Sequence, residues 1–570
     1  MTARLLAALL LGTTVTGTAH ATPESIAYFT QGKADAVPVL LSTDERGYYG
    51  SLFEAIEAQN WSRVENLLVQ REDGPLHGQA LAAYYLDANS PTVPLERLEA
   101  WLSRYADQPR AADILRLAQT RGTQESWRLP RENAMVRQPG ITRRTLPRRV
   151  NDGTLPEDTR AAILERIRND DPDGARILLD GIDGALSAEA RAEWRQRVAW
   201  SYYIENRDRE ALAIARTVAE GRGEWVAEGE WIVGLAAWRL GDCRIAANGF
   251  TRAANIASPR PDTAAAAHYW ASRAYTRCRE PELAVEQLRG AARFTETLYG
   301  MLAREQLGKA MPRDHTRPDL TAEDWGRLQR EQSARAAVML ARIGQDELAS
   351  DALIHLAQTA AEDLFQPAAR LARALGATTA QRFMAYNAPR GASPPPSMRW
   401  PVTDEQPVGG WRVDPALAFA HALQESDFRE RVVSPAGAIG LMQITPITQR
   451  EFASSINMSA SADLKQPNTN LAFGQRTLEG YANSAYARRQ LPKVMAAYNA
   501  GPTPVTRWRS EINDQGDPLT WMESIPYWET RSYVNIVMRN YWMYLRQADA
   551  PAPSRVELAQ NRWPEFPTGR

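Results

Sequence analysis

Beyond its first dozen residues the chain has no run approaching the roughly 20 apolar residues that a helix needs to cross a bilayer, so no transmembrane segment is expected. It has no basic excess either. Lys and Arg number 67 against 68 Asp and Glu, a formal charge of −1. That balance argues against nucleic acid as the main ligand, because binding to phosphates needs clustered positive charge. The six His residues are scattered and no Cys/His cluster has metal-ligand spacing, so neither a metal site nor a cofactor is expected. Alternating apolar–polar runs are few, which argues against a β framework. Cysteine is nearly absent, with only Cys243 and Cys278.

What is present is ordinary globular material. The 570 residues are 44% hydrophobic and 24% charged, enough for several domains with large cores. Residues 1–21 read as a secretory signal peptide. Arg4 is followed by the short apolar run Leu5 to Leu11, and Ala19-His20-Ala21 fits a small-x-small cleavage site. A buried N-terminal helix is the alternative, and the Thr/Gly stretch 12–18 argues against it. Export would place the two cysteines where disulfides persist. They lie 35 residues apart at predicted inter-helix turns, and both a bridge and a pair of inert thiols are open. A bridge would contribute about 3–4 kcal/mol on the chain-entropy model.

Residues 45 to about 385 read as helix after short helix, with apolar residues three and four apart. A theme recurs: an aromatic-rich helix end, a polar turn, then a helix opening on a small residue. Ala211, Ala246 and Ala284 hold that small position at spacings of 35 and 38, the period of helical-hairpin repeats. A weaker copy lies at Ala341 to Ala349. The fold class expected is mainly α: an N-terminal α-superhelical solenoid, then further α-rich domains. Domain bounds are set at 1–21, 22–310 for the solenoid, 311–398 for a helical linker domain and 399–570 for the last domain. Two stretches break the pattern. Residues 128–160 are rich in Pro and Gly, with seven Arg against Glu132 alone between 128 and 149. They read as a solvated connection crossing between helical layers, or as a basic patch. Residues 388–411, with six Pro and three Gly, read as a stiff linker.

After that linker, Asp414-Pro415 has the chemistry of a helix start. Ala416 to Gln424 is mostly apolar and delivers Glu425 at its end. A carboxyl on a core-buried helix can have its pKa raised, as a general acid requires. Ser434-Pro-Ala-Gly-Ala-Ile-Gly-Leu-Met442-Gln443 is a loop whose glycines allow close backbone approach. Ala496-Ala-Tyr498-Asn499-Ala-Gly-Pro502 ends a helix on Asn then Gly. Glu523-Ser-Ile-Pro-Tyr-Trp-Glu-Thr-Arg-Ser-Tyr533-Val534 leads into a closing helix.

These four runs, in this order, resemble the motifs of soluble lytic transglycosylases of glycoside hydrolase family 23, the group related to goose-type lysozyme. Leu464, Pro467 and Asn470 match a further family element. The resemblance covers about 412–545; upstream it is architectural only, to the large periplasmic members. It implies a lysozyme-like domain that cleaves the β-1,4 bond between N-acetylmuramic acid and N-acetylglucosamine in peptidoglycan glycan strands, leaving 1,6-anhydromuramic ends. Glu425 would be the single catalytic acid/base. Ser434, Met442, Gln443, Tyr498 and Asn499 would line the sugar groove, Glu523 would face the site opposite Glu425, and Tyr533 matches the last motif tyrosine. The resemblance implies a periplasmic, exported enzyme, with cell-wall synthases as candidate partners. Departures are His421, where an apolar residue is expected, Thr445 and Ile447 for Met and Gly, and Thr503-Pro504 for Gly-Arg. A muramidase on the same fold and a non-catalytic wall-binding scaffold are the competing readings.

Overall fold

Short polar turns between apolar helices force each helix to fold back on its predecessor, and the computed structural model is built from that unit. It describes residues 21–30, 37–71, 73–257, 260–312 and 319–568. The signal-peptide reading falls outside these residues except for Ala21. The described protein is mainly α, with one two-stranded ribbon.

The repeat theme becomes a stack of consecutive helices: Ala188–Ile204, Asp208–Thr217, Trp225–Leu240, Cys243–Ile256, Pro261–Arg277 and Pro281–Ala291. Ala211, Ala246 and Ala284 are buried at the helix junctions. Gly249 shows why small residues are needed. A Cβ there would stand 2.9 Å from the Gly234 backbone nitrogen and 3.0 Å from the Glu230 carbonyl. Cys243 begins one helix, Cys278 follows the next, and a disulfide joins them with their Cα atoms 5.5 Å apart.

Two hydrophobic cores divide the chain in a way that sequence order conceals. The helices between 43 and 120 share a core with residues 320–398. The stack from 163 to 311 shares its core with residues 400–566 and with Phe29. Helix Pro23–Thr30 therefore packs on the C-terminal region: Phe29 meets Phe419 and Tyr544 edge-on, and Ser25 donates to Asp414 at 2.6 Å. The backbone N–H of Ala21 also reaches the Thr568 carbonyl at 2.6 Å. The bounds 22–310, 311–398 and 399–570 stay a proposal about chain organisation, across which this packing runs.

The arginine-rich stretch is an extended crossing. Met135–Arg137 pairs antiparallel with Asn387–Pro389. Six of its seven arginines are exposed, and Arg144 turns inward. The proline-rich stretch before residue 411 lies along the closing helix Trp528–Gln547. Gln547 donates to the Ser397 and Trp400 carbonyls at 2.9 Å, and Tyr544 to that of Pro401 at 2.9 Å. Trp400 is sealed from solvent beside Asn540.

Candidate active site

Helix Pro415–Glu425 forms for reasons local to its sequence. Asp414 caps it by accepting from the Ala416 N–H at 3.0 Å, and Pro415 needs no donor partner in the first turn. Every residue from Pro415 to Leu423 is buried. Only the end reaches partial exposure, and there Glu425 stands. The chain then turns sharply. Asp427 and Phe428 both hold left-handed backbone angles, φ 55° and 57°. Two non-glycine residues there cost roughly 1 kcal/mol or more each. Phe428 is buried against Phe419 and Asp427 pairs with Arg382, which hold the turn.

Burial pushes the Glu425 carboxyl up to about 7, with Glu529 adding to the rise and the Tyr533 hydroxyl opposing it. A raised pKa does not single out Glu425, since Glu430 is also pushed to about 7, by burial and by Asp346, Glu405 and Glu347. What distinguishes Glu425 is the organised group around it. The Tyr533 hydroxyl donates to Glu425 Oε1 at 2.6 Å and lies 2.8 Å from His421 Nδ1. With the tyrosine proton given to the carboxylate, His421 must carry its own proton on Nδ1 and donate to the tyrosine oxygen. The order is His421 N–H to Tyr533 O–H to Glu425. His421 is fully buried, and burial lowers its pKa to about 3, so it is neutral. Its Nε2 has no partner. The departure from an apolar residue at 421 was the sequence signal for this link, but nothing in the sequence placed the imidazole against Tyr533.

Around this group the motif residues come from three further elements. Ser434 and Ala438 close the loop: Ser434 N–H donates to the Ala438 carbonyl at 2.8 Å, and Ala438 N–H to Ser434 Oγ at 3.0 Å. Gly440, at φ +77°, lies so close to the Asn470 amide and the Leu464 carbonyl that a Cβ would fall within 2.4 Å of both. Buried Asn470 then clamps the loop, accepting from Met442 N–H at 2.7 Å and donating to the Ile439 and Leu464 carbonyls at 2.8 Å. Tyr498, on helix Leu491–Ala500, donates to the Met442 carbonyl at 2.8 Å and packs its ring 4.7 Å from that of His421. Asn499 Oδ1 accepts from Thr530 Oγ1 at 2.7 Å, which ties this helix to the closing one.

The structure thus brings Glu425, Tyr533, His421, Tyr498 and the Met442 backbone together, with Asn499 beside them. Three expectations take a different form. The Met442 side chain is fully buried, so it is the backbone carbonyl, accepting from Tyr498, that faces this group. The Gln443 amide donates to the Gly440 and Val432 carbonyls, at 2.9 and 3.3 Å, and braces the loop. Glu523 is sealed from solvent. It accepts from Arg144 at 2.9 Å and Tyr299 at 2.6 Å, partners from the crossing segment and the helical stack. An inaccessible carboxylate already held by a guanidinium is not free to line a groove, and Glu523 ties the C-terminal region to the helical stack. Among the described residues, no group of three or more His, Cys, Asp or Glu is placed to hold a metal ion, and no helix is long and apolar enough to cross a membrane.

Residues 406–519 match a family model described as the transglycosylase SLT domain. The chain is 36% identical over 156 residues to the soluble lytic murein transglycosylase of Escherichia coli (strain K12), a match covering 27% of this chain and 24% of that protein. It is 33% identical over 103 residues to an endo-type membrane-bound lytic murein transglycosylase A of Klebsiella pneumoniae subsp. pneumoniae, covering 17% of this chain and 51% of that one. The matched part thus spans about a quarter of the Escherichia coli relative's length. Among solved structures, the fold is similar to that of the 70 kDa soluble lytic transglycosylase SLT70 from Escherichia coli. The TM-score is 0.51 at 16% identity, over 92% of this chain and all of that one.

Proposed function

We propose that this chain, whose C-terminal region carries the transglycosylase SLT domain, is a peptidoglycan lytic transglycosylase exported to the periplasm. The observation that carries this reading is the Glu425 carboxyl, half-protonated near neutral pH and held by Tyr533 beside the clamped 434–443 loop. A group that must first give and then take one proton works best with a pKa near the operating pH.

In this mechanism protonated Glu425 donates to the glycosidic oxygen between N-acetylmuramic acid and N-acetylglucosamine, and the C1–O bond breaks. The 2-acetamido group of the muramoyl sugar stabilises the developing charge at C1. Ionised Glu425, stabilised by the Tyr533 hydroxyl, then takes the proton of the muramoyl C6 hydroxyl as its oxygen attacks C1. A 1,6-anhydro end forms and no water is consumed. Most glycosidases use a second carboxylate; here the substrate's acetamido group takes its place. Ser434, Tyr498 and Asn499 orient the sugar, a contribution of several kcal/mol to the barrier. Glycan strands are the substrate, and cell-wall synthases are proposed partners. The helical stack holds the strand against the site.

One observation keeps a hydrolase reading in view. Glu529, exposed at the start of the closing helix, is near enough for its charge to raise the Glu425 pKa. A muramidase would use such a carboxylate to activate water. Mass spectrometry of soluble products from purified peptidoglycan separates the two. Products one water lighter, with anhydromuramic ends, are expected. Reducing muramic ends would make the protein a hydrolase, and an absence of products from folded protein would leave a wall-binding scaffold.

A further inference from the structure

The closing helix has two working faces. At 100° per residue, Thr530 and Tyr533 point one way, to Asn499 and Glu425. Trp528, Arg531 and Asn535 point the opposite way, towards the helical stack. On that second side lies a cavity of about 190 Å³, several times the space that a single water needs. Four parts of the chain wall it: the arginine-rich crossing, helix Glu157–Arg168, helices Ala188–Ile204 and Trp225–Leu240, and the start of the closing helix. Four indoles line it, from Trp200, Trp225, Trp231 and Trp528.

Its charges are unequally matched. Arg144 pairs with Glu523 and Glu228, and Arg197 with Glu193. Arg531 has no carboxylate within 4 Å among the described residues, although only 5% of its surface is exposed. One hydrogen bond, to the Glu523 carbonyl at 3.3 Å, and the faces of Trp200 at 3.9 Å and Trp528 at 4.7 Å are its surroundings. Its Nε has no acceptor. Taking a guanidinium out of water without a counter-charge is costly, and two indole faces offset only part of that cost. Burial lowers its pKa to about 10, with Arg144 adding to the fall and the more distant Glu523 and Glu228 opposing it. Three arginines, Arg144, Arg197 and Arg531, thus meet three glutamates, Glu193, Glu228 and Glu523, but among the described residues none of those carboxylates reaches Arg531, so it is the wall cation without a direct carboxylate partner. Indole faces accept flat or apolar groups, and the Gln196 amide in the same wall can pair with an amide.

We propose that this cavity is a second binding site, for a small N-acylated carboxylate of about one or two residues in size, with its carboxylate on Arg531 and its body between the tryptophans. A single guanidinium without a direct carboxylate partner, in a wall that also carries Glu228, favours a monocarboxylate over a phosphate dianion. A free peptide end and a lactyl-bearing amino sugar both present this chemistry. The site does not depend on the glycan-cleaving reading, because it lies on the other side of the helix that carries Tyr533.

Tryptophan fluorescence and calorimetry on the full chain test this, with N-acetyl-alanyl-alanine and N-acetylmuramic acid as probes, each against its carboxamide. At least one acid should bind saturably and quench fluorescence. Its carboxamide should bind about tenfold more weakly or worse, as loss of a charge-assisted hydrogen bond predicts. Whichever acid binds identifies the source. Trp200→Ala, at a half-buried wall position, should weaken that acid by a similar factor, and Glu425→Gln should leave it unchanged. Equal affinity for acid and carboxamide on the unaltered protein would overturn the proposal without recourse to any variant. So would no saturable binding of either acid, an unaffected Trp200→Ala, or binding lost in Glu425→Gln.

Discussion

Replacing Glu425 with Gln separates chemistry from electrostatics in one variant. Burial raises the carboxyl pKa from 4.5 to about 7 in the folded protein. At about 1.4 kcal/mol per pKa unit, that rise corresponds to about 3 kcal/mol. The sign follows from proton uptake. Between pH 4.5 and 7 the folded state binds the proton that the unfolded state has released. Stability associated with Glu425 is therefore fully present below pH 4.5 and lost as pH rises through about 7. Glutamine has the same shape, still accepts from Tyr533 and never ionises, so the variant escapes this loss. Relative to the parent, Glu425→Gln should gain nothing at pH 4 and about 3 kcal/mol by pH 8. Turnover should fall by about 10⁴-fold or more, the upper range for one acid/base group, since this one serves in both steps. Urea titrations of both proteins across that pH range, read by the same fluorescence signal, give the difference directly. A difference that stays flat with pH would refute the low-dielectric setting of this carboxyl. Near-normal turnover in folded Gln protein would remove Glu425 from the mechanism.

Further variants test the neighbours. Tyr533→Phe removes the one bond that holds the Glu425 pKa down, worth about 1.5–3 kcal/mol for a charged acceptor, so the alkaline limb of the rate profile should move up by about one to two pH units. His421→Leu leaves Tyr533 free to turn, so the rate should fall. It also removes a buried imidazole that the unfolded chain protonates between pH 6.5 and about 3, so the variant should lose less stability than the parent as pH falls through that window. An unchanged pH–stability curve would refute the buried placement of His421. Glu529→Gln should lower the Glu425 pKa while leaving anhydro products in place; loss of all product would favour the water-activating role. Cys243→Ser should destabilise the helical stack by about 3–4 kcal/mol under oxidising conditions and by nothing in reductant, as thermal unfolding with and without dithiothreitol would report.

Much was determined locally. Helical periodicity, turn chemistry and the 35–38 residue recurrence of small residues were enough to read a mainly α chain with a helical stack, because each is written within a few residues or one repeat. The Asp-Pro start, the apolar run and the terminal Glu425 were legible for the same reason. Only the tertiary structure could pair groups far apart in sequence. Glu523 reads as a carboxylate beside the site, yet Arg144, 379 residues away, reaches it from an exposed-looking basic stretch and seals it from solvent. Phe29 reads as the start of the solenoid and packs on the C-terminal region. His421 reads as an intrusion on an apolar face until Tyr533 is seen to link it to Glu425. The physical reason is common to all three. Hydrophobic patterning says which faces are buried, but a buried charge or imidazole is defined by its partner, and that partner is set by how distant helices close on one another.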